Sequence, residues 1–199
     1  MTNRILSLFM AVFLLALVAC VENSTAKSNG NGENGETSQN IVQPDKPVVH
    51  GWAKTFGGIG NDTADGVMVD PDSNLLVYGN FQGDVDFNPS DDEFILTAGD
   101  ETSAYLAKFT PDGELISAFA WGSFTEAGKI ALDSSGNVFL TGRFKGTIDF
   151  DPGPGIAEEK PMFQYSIFLV KLDKELNFQW VQPMVSGRNL AVDNMGNSI

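Results

Sequence analysis

Most of what catalysis and nucleic-acid binding require is scarce in this chain. Its 199 residues hold one histidine, one cysteine and 12 basic side chains against 26 acidic ones, for a net charge of −14. Nucleic-acid binding rests on Lys and Arg neutralising phosphates, so that balance argues against a nucleic-acid partner. It argues equally against adsorption to anionic lipid headgroups through a basic face. The lone histidine, His50, ends a Pro-containing approach, "IVQPDKPVVH" (41–50). No Ser-His-Asp or Cys-His arrangement can be built on it without a second suitable group, and neither G-x-S-x-G nor H-E-x-x-H occurs. Residues 50–199 show no sustained helical period. Against these absences, 42% hydrophobic and 11% aromatic residues place the chain among foldable globular proteins.

A long apolar run is also missing. "MTNRILSLFMAVFLLALVAC" starts with Arg4 and is apolar from Ile5 to Val18. That is short of the ~20 residues a comfortable span needs, and it fits the core of a signal peptide. Leu17 stands three residues before Cys20 and the small Ala19 immediately before it. "LVAC" resembles the lipobox of bacterial lipoproteins, which implies a diacylated Cys20 thiol, a signal peptide over 1–19 and a membrane anchor made of lipid. Val21 is not the aspartate that resembles an inner-membrane retention signal, so the outer membrane of a bacterial envelope is the expected address. Residues 20–48 are dominated by "VENSTAKSNGNGENGETSQN" (21–40), which lacks any aromatic residue. Such a segment buries too little apolar surface to offset its ordering entropy and is expected to be a flexible tether.

The rest of the chain is written twice. At an offset of 63 residues, Asp70, Asn74, Gly79, Phe81, Gly83, Asp86, Phe87 and Pro89 fall on Asp133, Asn137, Gly142, Phe144, Gly146, Asp149, Phe150 and Pro152. Average composition gives one or two matches by chance over such a window, so the periodicity marks an array or propeller. Leu106 and Lys108 fall on Leu169 and Lys171 at the same offset, and "LAVDNMGN" (190–197) opens a third copy matching "IALDSSGN" (130–137).

Each copy reads as four short strands. In the first they are "GVMVD" (66–70), "NLLVYGNF" (74–81), "AYLAKF" (104–109) and "LISAFAW" (115–121); "KIALD", "NVFLTGRF", "IFLVKL" and "LNFQWVQ" follow in the second. Apolar alternation and turn residues carry these assignments. The expected fold is therefore all-β, with antiparallel four-stranded blades of a β-propeller type. Blade 1 spans about 66–121, blade 2 about 129–182, and blade 3 begins at about 189, within a repeat region of 49–199. "FxGxxDFxP", "AYLAKFTPDGEL" and "GVMVDPDSNLLVYGNF" resemble the bacterial beta-propeller repeat family often called SBBP, common in secreted and surface proteins. The resemblance covers about residues 51–199 and implies the fold; the family carries no catalytic motif. Propellers close with about 4–8 blades. "WAKTF" (52–56) can supply one outer strand, two blades follow, and the third copy stops inside its second strand. An incomplete ring, part of a longer propeller, is the expectation.

The acidic phrases "GDVDFNPSDD" (83–92) and "GTIDFDPGPG" (146–155) are the most conspicuous site candidates. Val85 and Phe87 alternate with Asp84, Asp86 and Asn88, and Ile148 and Phe150 with Thr147, Asp149 and Asp151. Clustered oxygens could hold a hard cation, making Asp84, Asp86, Asn88, Asp149 and Asp151 calcium candidates. The preferred reading is scaffold, with each Phe filling the core, each Asp hydrogen-bonding its own turn and each Pro ending the pairing. Asp70, Asp72 and Asn74 also alternate, but their third-copy equivalents are Asp193, Met195 and Asn197, and methionine is a poor ligand for a hard ion. Those positions read as a hairpin turn. Trp52, Trp121 and Trp180, with Phe56, Phe119 and Phe178, read as packing between blades in preference to exposed glycan-binding aromatics. "GGIGNDTADG" (57–66) precedes a strand, unlike a phosphate-binding loop, and reads as a connection.

No catalytic, metal or cofactor-binding residue is assigned, and Cys20 is the lipidation site. The function expected is that of a non-enzymatic, lipid-anchored envelope protein whose repeats form a binding or interaction scaffold for a protein or glycan partner. The alternative is the propeller portion of a secreted hydrolase acting on glycans.

Overall fold

The computed structural model describes residues 52–198, apart from positions 89, 91, 99, 100, 123, 186, 188 and 194. Cys20, His50, the leader and the tether lie outside the described residues. Among the described residues every regular element is a strand. In chain order these are β1 (Thr63–Val69), β2 (Leu75–Phe81), β3 (Asp84–Asp86), β4 (Ile95–Thr97), β5 (Ser103–Phe109), β6 (Leu115–Ala120), β7 (Thr125–Leu132), β8 (Val138–Phe144), β9 (Ile148–Asp149), β10 (Glu158–Glu159), β11 (Ser166–Leu172) and β12 (Phe178–Met184). They form two antiparallel four-stranded sheets, β1-β2-β5-β6 and β7-β8-β11-β12, and two small hairpins, β3-β4 and β9-β10. Each hairpin interrupts its sheet at the same point, between the second and third strands.

Burial explains why the inner strands read as continuous apolar runs. Alternation along β2 and β5 sends Leu76, Tyr78 and Leu106 to the face that meets the second sheet. It sends Leu75, Val77, Phe81, Tyr105, Ala107 and Phe109 to the opposite face. Both faces are covered, so every residue of β5 is buried. The second sheet presents Val138, Leu140, Phe144, Phe168, Val170 and Leu172 to the first, and Trp121 lies between the sheets.

Residues 63 apart occupy equivalent places. Phe81, Phe87 and Tyr105 pack with ring centroids 5.3 and 4.7 Å apart around Phe87. Phe144, Phe150 and Phe168 repeat this at 5.3 and 4.9 Å around Phe150. Phe87 and Phe150 are both fully buried. One residue of slip would have turned either ring to solvent. The repeated glycines have a steric cause as well. A Cβ on Gly79 would stand 1.9 Å from Thr63 O, and one on Gly142 2.2 Å from Glu126 O. At both places the first strand carries an irregularity, between Ala64 and Gly66 in β1 and between Ala127 and Ile130 in β7.

Two sequence expectations need correction. "WAKTF" (52–56) does not join a sheet as an outer strand. Its alternate residues Trp52 and Phe56 are spent on side-chain packing against the first sheet, and Trp52 Nε1 donates to Pro111 O at 2.7 Å. Phe56 meets Phe87 and Tyr105, where one unit further on Trp121 meets Phe168 and donates to Phe150 O. The loop over 57–66 is also shorter than expected. β1 starts at Thr63, because the bulge absorbs a residue that breaks the alternation a sequence reading depends on.

Candidate functional site

The acidic phrases are built as loop clasps. Asp86 Oδ1 accepts from the amides of Asn88 and Phe94, both at 2.9 Å, which pins the loop between β3 and β4. Asp149 Oδ1 accepts from Asp151 at 3.1 Å and Ala157 at 2.8 Å across the equivalent loop. The Phe94 and Asn88 amides hold the Asp86 carboxyl below its ordinary range. Asp84 accepts from Thr97 Oγ1, Asn88 from Ser90, and Asp151 from the Gly153 amide. The five calcium candidates thus each serve a neighbour. Among the described residues no group of three or more His, Cys, Asp or Glu side chains is placed to hold a metal ion.

Two measurements check the clasp. Asp86→Ala is expected to strip hydrogen-exchange protection from the amides of Asn88 and Phe94 while the amides of β2 and β5 keep theirs. Calcium at ~1 mM, where weak extracellular sites fill, is expected to leave the thermal midpoint unchanged. A rise in midpoint reversed by chelation would restore the cation reading.

The Asp-x-x-x-Asn turns recur at four places. In each, the Asp amide donates to the Asn carbonyl, and one carboxylate oxygen accepts from the amides of the second and fourth following residues. Asp70/Asn74 and Asp133/Asn137 join the first two strands of each sheet, and Asp193/Asn197 closes the hairpin marked by the Val192–Ser198 bridge. The fourth, Asp173/Asn177 between β11 and β12, is one that sequence comparison passes over, since its first-unit counterpart is Thr110/Glu114. The φ-positive place in these turns is taken by Gly136 and Gly196, but also by Ser73 and Leu176. Glycine is therefore favoured there without being required.

One turn aspartate does more. Asp70 Oδ2 lies 2.9 Å from Lys108 Nζ, with 3% and 11% of the two side chains exposed. Lys108 Nζ also donates to Lys174 O of the second unit at 2.9 Å. Burial works to raise the Asp70 carboxyl, but hydrogen bonds from Asn74 and Lys108, with the lysine charge, outweigh it and hold the group low. Around this pair the sheets are stitched by further polar contacts. Tyr78 Oη donates to Thr141 O at 2.8 Å, the Ala127 amide to Asn80 Oδ1 at 2.7 Å, and the Ala104 amide to Thr125 Oγ1 at 2.8 Å. Burial pushes the Tyr78 hydroxyl up, so it stays a donor at any ordinary pH. The signal was in the sequence: Lys108, a lysine repeated at position 171, sits in an otherwise apolar strand.

The three tryptophans do not share an environment. Trp121 is buried between the sheets and Trp52 half-buried, but Trp180 is 37% exposed, which corrects the packing assignment for that residue. Trp180 lies on β12 opposite Lys171, with its ring against Phe139. A groove of about 130 Å³ is lined by Glu126, Lys129, Thr141, Arg143 and Ile167, among others. Glu126 and Arg143 in its lining are paired with each other. No helix of the described residues is long and apolar enough to cross a membrane. No family model and no curated protein matches this chain.

Proposed function

We propose that this chain is a lipid-anchored protein of a bacterial envelope, whose four-stranded units are blades of a propeller and act as a non-enzymatic scaffold for a protein or glycan partner. The observation that carries the scaffold reading is how the ionisable groups are used. The repeated aspartates close turns and loops, and Lys108, the first of the repeated lysines, serves the contact between units. The propeller reading draws on the step from one unit to the next, which starts again after the second. A Cβ on Gly136 would meet Pro71 Cδ at 3.0 Å, and one on Gly196 would meet Asp133 Oδ2 at 3.1 Å, so each unit's first turn lies on the preceding one. The same turn-on-turn contact made twice supports a regular stacking of units, as in the blades of a propeller.

The anchor is tested on the whole chain expressed in a bacterium that processes lipoproteins. Mass spectrometry is expected to find a diacylglyceryl group on Cys20 as the new N-terminus, and Cys20→Ser is expected to leave an uncleaved precursor. A soluble mature protein lacking Cys20 would remove the anchor from the proposal. Glycan turnover by the purified chain would transfer the repeats to the hydrolase reading.

A further inference from the structure

The two sheets are not equally covered. On the first, Leu76, Tyr78, Leu106 and Lys108 are buried beneath the second unit. Moved on by 63 residues, that face becomes Phe139, Thr141, Leu169 and Lys171. Phe139 is buried, under Trp180 and the Lys171 ammonium, whereas Thr141, Leu169 and Lys171 are half-buried and Trp180 is exposed. Lys171 also lacks what Lys108 has. Its Nζ stands 4.0 Å from Asp133 Oδ2, where Lys108 reaches its own aspartate and a carbonyl of the next unit at 2.9 Å.

We infer that this face of the second sheet seats a third four-stranded unit, laid on it as the second sheet lies on the first, with Lys171 Nζ donating to a carbonyl in that unit's turn between its third and fourth strands. The inference rests on the propeller reading and extends it by naming the surface and the contact. The occupant is polypeptide continuing from residues 190–198, because the first turn of that unit, Asp193–Asn197, is already seated beside Asp133, Lys171 and Phe139. A second copy of the chain does not fit the same way. The face it would have to offer, on its first sheet, is occupied by its own Trp52 and Phe56.

The test extends the full chain through Asn197 with the three strands that would complete the unit. The extension appends residues 75–121 in the frame of the Asn that ends the turn, which leaves Lys171 and Lys174 in unique peptides. Acetylation of each lysine is followed by mass spectrometry, with the exposed Lys174 as reference and light scattering to give the mass. Lys171 is expected to react about tenfold or more slowly in an extended monomer than in the parent chain, with Lys174 unchanged. Reactivity at the parent rate in the extended chain would overturn the inference. So would a parent chain that is already dimeric with Lys171 protected, since the occupant is then a second copy. Failure of the propeller reading itself is distinguishable. It would appear as an experimental structure of the parent chain with its two sheets related by something other than rotation about a common axis, whatever the reactivity of Lys171.

Discussion

Phe150→Ala is expected to cost the fold about 3–5 kcal/mol, as removal of a fully buried aromatic side chain does where its surroundings cannot collapse. Little collapse is open to this site. The ring sits 5.3 Å from Phe144 and 4.9 Å from Phe168, and its backbone carbonyl accepts from Trp121 of the first unit. The cavity would therefore open within the cluster that joins the two sheets. For a folded region of this size the midpoint should fall by ~10 °C, at about 2–4 °C per kcal/mol. Phe94→Ala is the control, because that ring is substantially exposed and surface truncations stay within about 0.5 kcal/mol. Urea unfolding of the two variants checks the contrast. A Phe150 variant that loses less than ~1 kcal/mol would mean that the repeated phenylalanine is not the anchor of its unit.

Phe150 also shows what a sequence can reveal here. The position of Phe87 and Phe150 was legible because two signals agree: a period-two alternation and a 63-residue identity that preserves it without slip. The same agreement located the four inner strands to within one residue and made Asp70/Asn74 and Asp133/Asn137 readable as turns. Reading failed where one signal was missing. The segment over 52–56 has a strand's alternation, yet its contacts are made by side chains at long range, and alternation is silent about whether backbone partners exist. β1 was misjudged at its start because its bulge breaks the period. Trp180 was misassigned because proximity to an outer strand was treated as equivalence: the residue 63 positions before it is Ser117, and that before Trp121 is Gly58. The Asp70–Lys108 pair was hidden for a different reason. The two residues lie 38 positions apart, Asp70 in the turn after β1 and Lys108 on β5, and those strands are not neighbours, so no local pattern joins them.

That pair should dominate the electrostatics of the fold. Lys108→Met removes the cation from a carboxylate that is 97% buried by side-chain area and leaves Lys174 O without its donor. Breaking one side of a buried pair typically costs about 3–5 kcal/mol, because the remaining charge is left uncompensated. The double change Asp70→Asn with Lys108→Met should recover much of that loss, since it removes the stranded charge while the asparagine can still serve the turn. Acid should then separate the variants. The Asp70 carboxyl is held below the ordinary aspartate value of 3.8, so at moderately acidic pH the unfolded chain binds the proton more readily than the folded one. Stability from this group is fully present above that value and is lost as pH falls through the folded one. Without Lys108 only the turn's hydrogen bonds still oppose burial, so protonating Asp70 costs the variant less than it costs the parent. The gap in unfolding free energy between parent and Lys108→Met should accordingly be widest at pH 7 and narrow on titration toward pH 3. Asp133 and Asp193 are also held low, so both proteins lose stability in acid and the difference between them is the quantity that isolates Asp70. A gap that stays constant across the titration, or a double variant as unstable as the sum of its singles, would show that Asp70 and Lys108 are not coupled.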